Sequence, residues 1–114
     1  MKRPSPEELT HFKSRISDLA RRLKTQPKQV VVMGMRRKWA SCSSRGRVCF
    51  AFDVVRLDPR LQDYIAVHEL LHLKHPNHSR VFRSVLQAHI PGWRTLHANL
   101  KQIDKKREIS PEMA

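Results

Sequence analysis

The 114-residue chain is 39% hydrophobic and 29% charged, enough apolar material for one small core and too little for two. No apolar stretch approaches the roughly 20 residues that cross a bilayer, and residues 1–6 lead into a charged segment without a signal-peptide core. Neither a membrane span nor export is therefore expected, and a cytoplasmic setting is. The formal net charge of +13 is uneven: residues 1–47 hold 13 of the 23 Lys and Arg against Glu7, Glu8 and Asp18, which gives +10 and leaves +3 for the rest. Such a front half attracts nucleic acid or an acidic protein at long range and resists self-association.

Ser5-Pro6-Glu7-Glu8 has the form of a helix start, with Ser as cap, Pro at the first helical position and Glu at the third. Leu9, Phe12, Ile16, Leu19 and Leu23 recur at three- and four-residue spacing, so a basic helix with one apolar stripe is expected over about 6–24, stopped by Pro27. The β-branched run at residues 30–33 and the segment 47–52 read as strands, separated by the Ser-rich stretch 41–46. Cys42 and Cys49 lack the close pairing of a zinc ribbon or redox motif and read as ordinary thiols.

Asp58-Pro59 repeats the cap-then-proline signal and opens a helix that carries Leu61, Tyr64, Ile65, His68, Leu71 and His72 inward. It ends near Lys74, because the residue before Pro76 is pushed out of helical geometry. A third helix is expected from Ser79 to about His89, burying Phe82, Val85 and Leu86, and a fourth from Trp93 to about Lys105. The tail from about residue 106 is expected to fray.

The second helix carries His68-Glu69-Leu70-Leu71-His72. Residues four apart share a helix face, so His68 and His72 offer two imidazole nitrogens to one cation, and Glu69 stands beside them as a proton acceptor for a water. Burying two histidines and a carboxylate without partners costs a few kcal/mol, roughly, which metal ligation offsets. A zinc-dependent hydrolase, most simply a peptidase, follows from this pattern.

An open catalytic site needs a third protein ligand. Between Leu70 and Ile103 the chain has no Asp or Glu, so the ligand is sought among His75, His78, His89 and His97. His75 lies about 10 Å along the helix axis from His68, too far for a compact shell. His78, beyond the Pro76 turn, is chosen, with His89 and His97 as weaker candidates. Imidazole nitrogens suit one Zn²⁺ per chain, and Ni²⁺ or Co²⁺ as well.

Residues 39–44 (Trp-Ala-Ser-Cys-Ser-Ser), the strand segment 47–52, the run 68–73 (His-Glu-Leu-Leu-His-Leu), then Asn77-His78-Ser79 and Phe82, resemble the YgjP-type zinc metallopeptidases, relatives of the SprT-like proteases. The likeness spans about residues 36–100. It implies an α+β, zincin-like minimal metallopeptidase domain over 1–114, with an N-terminal helix, a small antiparallel sheet, an active-site helix and two further helices. It also implies His68, His72 and His78 as ligands and Glu69 as catalytic base. Ala40 stands where the family usually has Gly, and Arg83 where an aromatic is common. One basic helix replaces a larger N-terminal region of typical members, so substrate selection is expected to differ.

Zincins of this kind hold an extended peptide along an edge strand, and Val48, Cys49, Phe50, Ala51 and Phe52 are the expected strand. Tyr64, His75 and Asn77 read as packing, surface and turn residues, which leaves the oxyanion without an assigned partner. A rival reading is a nucleic-acid-associated zinc protein that contacts its partner through Arg36, Arg37 and Lys38 beside Trp39, either as a protease working near DNA or with a structural zinc. A third is a zinc scaffold that turns over no substrate.

Overall fold

The computed structural model describes residues 2–107, the side chains of 106 and 107 excepted. Helix α1 spans Pro6–Arg22, strands β1, β2 and β3 span Gln29–Met33, Ala40–Cys42 and Arg47–Ala51, and a 3₁₀ segment covers Phe52–Arg56. Helices α2 (Pro59–Leu71), α3 (Arg80–His89) and α4 (Trp93–Arg107) follow. None of the helices is long and apolar enough to cross a membrane. The expected frayed tail overlaps α4 at residues 106 and 107 and otherwise lies outside the described residues.

Local chemistry sets the helix starts. Ser5 and Glu8 form a reciprocal capping box, with the Glu8 amide donating to Ser5 Oγ at 3.2 Å and the Ser5 amide to Glu8 Oε1 at 2.8 Å. Asp58 Oδ1 accepts from the Arg60 amide at 2.9 Å to open α2, and Ser79 Oγ accepts from the Phe82 amide at 3.2 Å to open α3. On α1 the buried face consists of Phe12, Ile16 and Ala20, continued by Leu23. Phe12 meets Phe50 of β3 edge to face, with ring centroids 5.2 Å apart. Arg15 ties α1 to α2 through Gln62 Oε1 at 2.9 Å and Asp63 Oδ1 at 2.5 Å.

The sheet differs from expectation in two ways. It is mixed, in the order β1-β3-β2, with β1 parallel to β3 and β2 antiparallel to β3. The short strand β2 was hidden in the stretch read as a connection, because three residues are too few to show a two-residue alternation. The hairpin therefore joins β2 to β3 at residues 43–46, and this extra reversal makes β1 and β3 run the same way. Gly46 closes that turn at φ +91°, a conformation that side-chain-bearing residues rarely adopt.

Second, β3 is the central strand, paired on both sides, and the chain leaves it at Ala51, so Phe52 is not part of it. Both sets of main-chain groups on residues 48–51 are engaged within the sheet, so the segment 48–52 is not an edge strand for a substrate. Among the described residues, the edges belong to β1 and β2.

Helix α2 is surrounded rather than half-exposed. Ten of its residues are buried, Ala66, Val67, Glu69 and Leu70 among them, since α1, α3, α4 and β2 all pack against it. The helix that carries the His-Glu motif is thus the central post of the fold.

Candidate metal centre

The main chain tightens at the end of α2, where the amides of His72, Leu73 and Lys74 donate to the carbonyls three residues back. Pro76 then prevents continuation and the chain doubles back to Ser79. This reversal returns His78 to the helix end. The Nε2 atoms of His68 and His72 are 3.3 Å apart, those of His72 and His78 3.0 Å apart, and one nitrogen from each ring lies within 4.8 Å of the others.

Ligands held tetrahedrally at a Zn–N length of about 2.0–2.1 Å stand about 3.3 Å from one another. Two of the three nitrogen pairs stand close to this spacing and the third lies within 4.8 Å, a set that one cation can share. Their protonation agrees. His72 Nδ1 is 3.1 Å from the His75 carbonyl, which can only accept, so Nδ1 carries the proton and Nε2 presents its lone pair to the cluster. Burial, then the neighbouring His72, His78 and His97, holds His68 down to about 3, so this ring is neutral in the folded protein.

Phe82 braces the cluster. Its buried ring lies 5.3 Å from the His68 ring and 4.9 Å from each of His72 and His78, centroid to centroid. Since Phe82 lies one turn into α3 and Ser79 caps that helix, the segment that positions His78 also supplies the wall behind it.

Glu69 is 0% exposed, and neither carboxylate oxygen has a hydrogen-bond partner. Burial pushes it up to about 8, against the opposing charge of Lys38. Glu69 in turn helps to raise both Cys42 of β2 and Tyr64 of α2. An orphaned carboxylate and the buried, unpartnered His68 Nδ1 beside three converging imidazoles leave local polarity uncompensated by protein groups. A divalent cation offsets the charge of the carboxylate and takes the lone pairs of the three rings, so the residues present fit a metal.

The other candidates lie elsewhere. His75 contributes its carbonyl, and His89 is exposed at the end of α3. His97 Nδ1 pairs with the Tyr64 hydroxyl at 2.9 Å. Burial, reinforced by Glu69, raises Tyr64 far above the ordinary phenol range, so its hydroxyl keeps its proton in this pair. The packing residue Tyr64 thereby links α2 to α4, one helical turn before His68, and no spacing in the sequence foreshadows that pairing. Trp39 is 1% exposed, and its indole N–H donates to Asp104. It is a core residue joining the start of β2 to α4, so the exposed Arg36, Arg37 and Lys38 lack an adjacent stacking platform. Cys42 and Cys49 are free thiols.

Comparison with known proteins follows the same line. The crystal structure of the metallopeptidase zymogen of Pyrococcus abyssi abylysin has a similar fold, with a TM-score of 0.73 at 22% identity over 90% of this chain and 99% of that one. The metallopeptidase zymogen of Methanocaldococcus jannaschii jannalysin gives 0.71 at 26% identity, covering 83% and 96%. No curated protein matches the chain. A family profile described as YgjP-like, metallopeptidase domain, matches residues 6–103 and so takes in α1 as well as the site. The chain belongs to this YgjP-like family of metallopeptidase domains and is a peptidase of a kind that works with a divalent metal.

Proposed function

We propose that the protein is a zinc-dependent peptidase in which His68, His72 and His78 hold the cation and Glu69 is the general base. The observation that carries this reading is the convergence of three imidazole nitrogens at coordination spacing beside a buried, unpartnered carboxylate. When bound, the cation supplies Lewis acidity, which acidifies a water and polarises a carbonyl. Glu69 takes the proton of the attacking water on a carboxylate oxygen and delivers it to the departing amide nitrogen. Burial disfavours the ionised form of Glu69, and the charge of Lys38 opposes that in part.

The strand that receives the substrate is β2. It is a sheet edge and it packs against α2, the helix that carries Glu69. An extended peptide laid along its outer edge pairs through main-chain groups, which tolerates many side chains.

Glu69→Gln tests the assignment. The variant is expected to bind Zn²⁺ like the wild type while hydrolysing peptide at least about a hundredfold more slowly. Hydrolysis at the wild-type rate removes Glu69 from the mechanism.

A further inference from the structure

Helices α3 and α4 border a shallow, open concavity of about 400 Å³, lined by Arg80, Arg83, Ser84, Gln87, Trp93 and Arg94. It holds three guanidinium groups and no acidic residue, and none of the three arginines takes part in an ion pair among the described residues. Two are held in place. Arg83 donates to the His78 carbonyl at 3.4 Å, and the Arg94 guanidinium lies over the Trp93 ring, 4.6 Å from its centroid.

The concavity adjoins the histidine cluster along two routes. One is the Arg83–His78 contact. The other runs from Trp93 to Tyr64, whose rings stack with centroids 6.4 Å apart, and from Tyr64 to His68, edge to face at 6.0 Å. The Trp93 indole nitrogen beneath this wall is shielded from water and has no hydrogen-bond acceptor.

We infer that this arginine-lined concavity is a specificity subsite that binds a carboxylate of the peptide substrate, an acidic side chain or the C-terminus. The inference rests on the proposed peptidase reading for the identity of the ligand. Planar guanidiniums match carboxylates in a two-pronged geometry, and a fixed guanidinium loses less freedom on binding than a loose one. Nucleic acid fits less well. Base stacking needs an open aromatic face, and Trp93 has Tyr64 on one side and Arg94 over its ring. The net charge of +13 draws acidic peptides toward the protein from a distance.

The test uses the full chain loaded with Zn²⁺ and ten-residue peptides in which one Glu is walked along the sequence, each paired with its Gln counterpart and with a phosphoserine version. The wild type is expected to favour Glu over Gln by about tenfold in kcat/KM at one position. In the double variant Arg80→Gln, Arg94→Gln the ratio falls to near one. In parallel, the Glu peptide is titrated into metal-free protein while tryptophan fluorescence is followed, since Trp93 borders the subsite; the variant loses the wild-type signal change. A wild-type ratio near one, a preference that persists in the variant, or a stronger preference for phosphoserine overturns the assignment. If no peptide is cleaved, the peptidase reading fails by itself, and the fluorescence titration still decides: loss of the response in the variant supports a carboxylate subsite, and an absent or unaltered response refutes it.

Discussion

Replacing Phe82 with alanine removes a ring that lies against all three imidazoles, at centroid distances of 5.3, 4.9 and 4.9 Å. The ring is 1% exposed, and truncating a fully buried phenylalanine costs about 3–5 kcal/mol. A domain of this size loses about 4 °C of Tm per kcal/mol, so metal-free Phe82→Ala is expected to melt about 12–20 °C below the wild type. Because domain stabilities are about 5–15 kcal/mol, that variant can approach unfolding at room temperature. Phe82→Leu keeps most of the volume and is expected to lose less than about 1.5 kcal/mol. It also loosens the wall behind His78, and residues that orient a ligand in this way change metal affinity by about tenfold or more when replaced. Thermal unfolding by circular dichroism, with and without Zn²⁺, and competition with a chelating dye measure the two effects separately. A Tm loss below about 4 °C for Phe82→Ala, or wild-type zinc affinity in Phe82→Leu, refutes the bracing role.

Other outcomes follow from neighbouring features. Burial, with Glu69 and Cys49 adding to it, pushes Cys42 up to about 11. At pH 8 roughly 0.1% of it is thiolate, against about a quarter of an unperturbed cysteine, so alkylation by iodoacetamide followed by mass spectrometry is expected to run about a hundredfold slower than for a free-cysteine peptide. Rapid labelling contradicts the raised value assigned to this half-buried thiol. Gly46→Ala places a Cβ 3.1 Å from Lys28 Cγ on backbone held at φ +91°, whereas Gly92→Ala meets nothing within 4 Å and bears only the cost of φ +79°. The first is expected to cost about 2 kcal/mol and the second about 1 kcal/mol, an order that thermal melts of the two variants check.

The helices were legible because each carries its own punctuation. Ser5-Pro6, Asp58-Pro59 and Ser79 all became caps, since capping is a matter of a few consecutive residues. The family likeness was legible in the Trp39 and His68 segments for a similar reason: those motifs are contiguous in sequence. Sheet order is a non-local property. Nothing in residues 29–33 states that they pair with 47–51 in parallel, and the three residues of β2 carry too little pattern to announce an edge. That single omission left the expected substrate strand on β3, which is the central strand. The near-complete burial of α2 was missed because a stripe of apolar residues predicts one packed face, while Glu69 and Leu70 are covered by elements distant in sequence.

The same limit applies to the site. Two imidazoles follow from helical spacing, and a third from the Pro76 reversal. The wall supplied by Phe82, the Tyr64–His97 link, and the meeting of Arg83 with Arg94 depend on how α2, α3 and α4 pack, which no local pattern encodes.

The convergence of His68, His72 and His78 on one cation is directly measurable. Titrating metal-free protein with Zn²⁺ against a competing chelator, for wild type and His78→Ala, measures it. The wild type is expected to bind one equivalent per chain, and His78→Ala, which keeps His68 and His72, to bind about a hundredfold or more weakly. Equal affinity in the two proteins contradicts a site built from His68, His72 and His78.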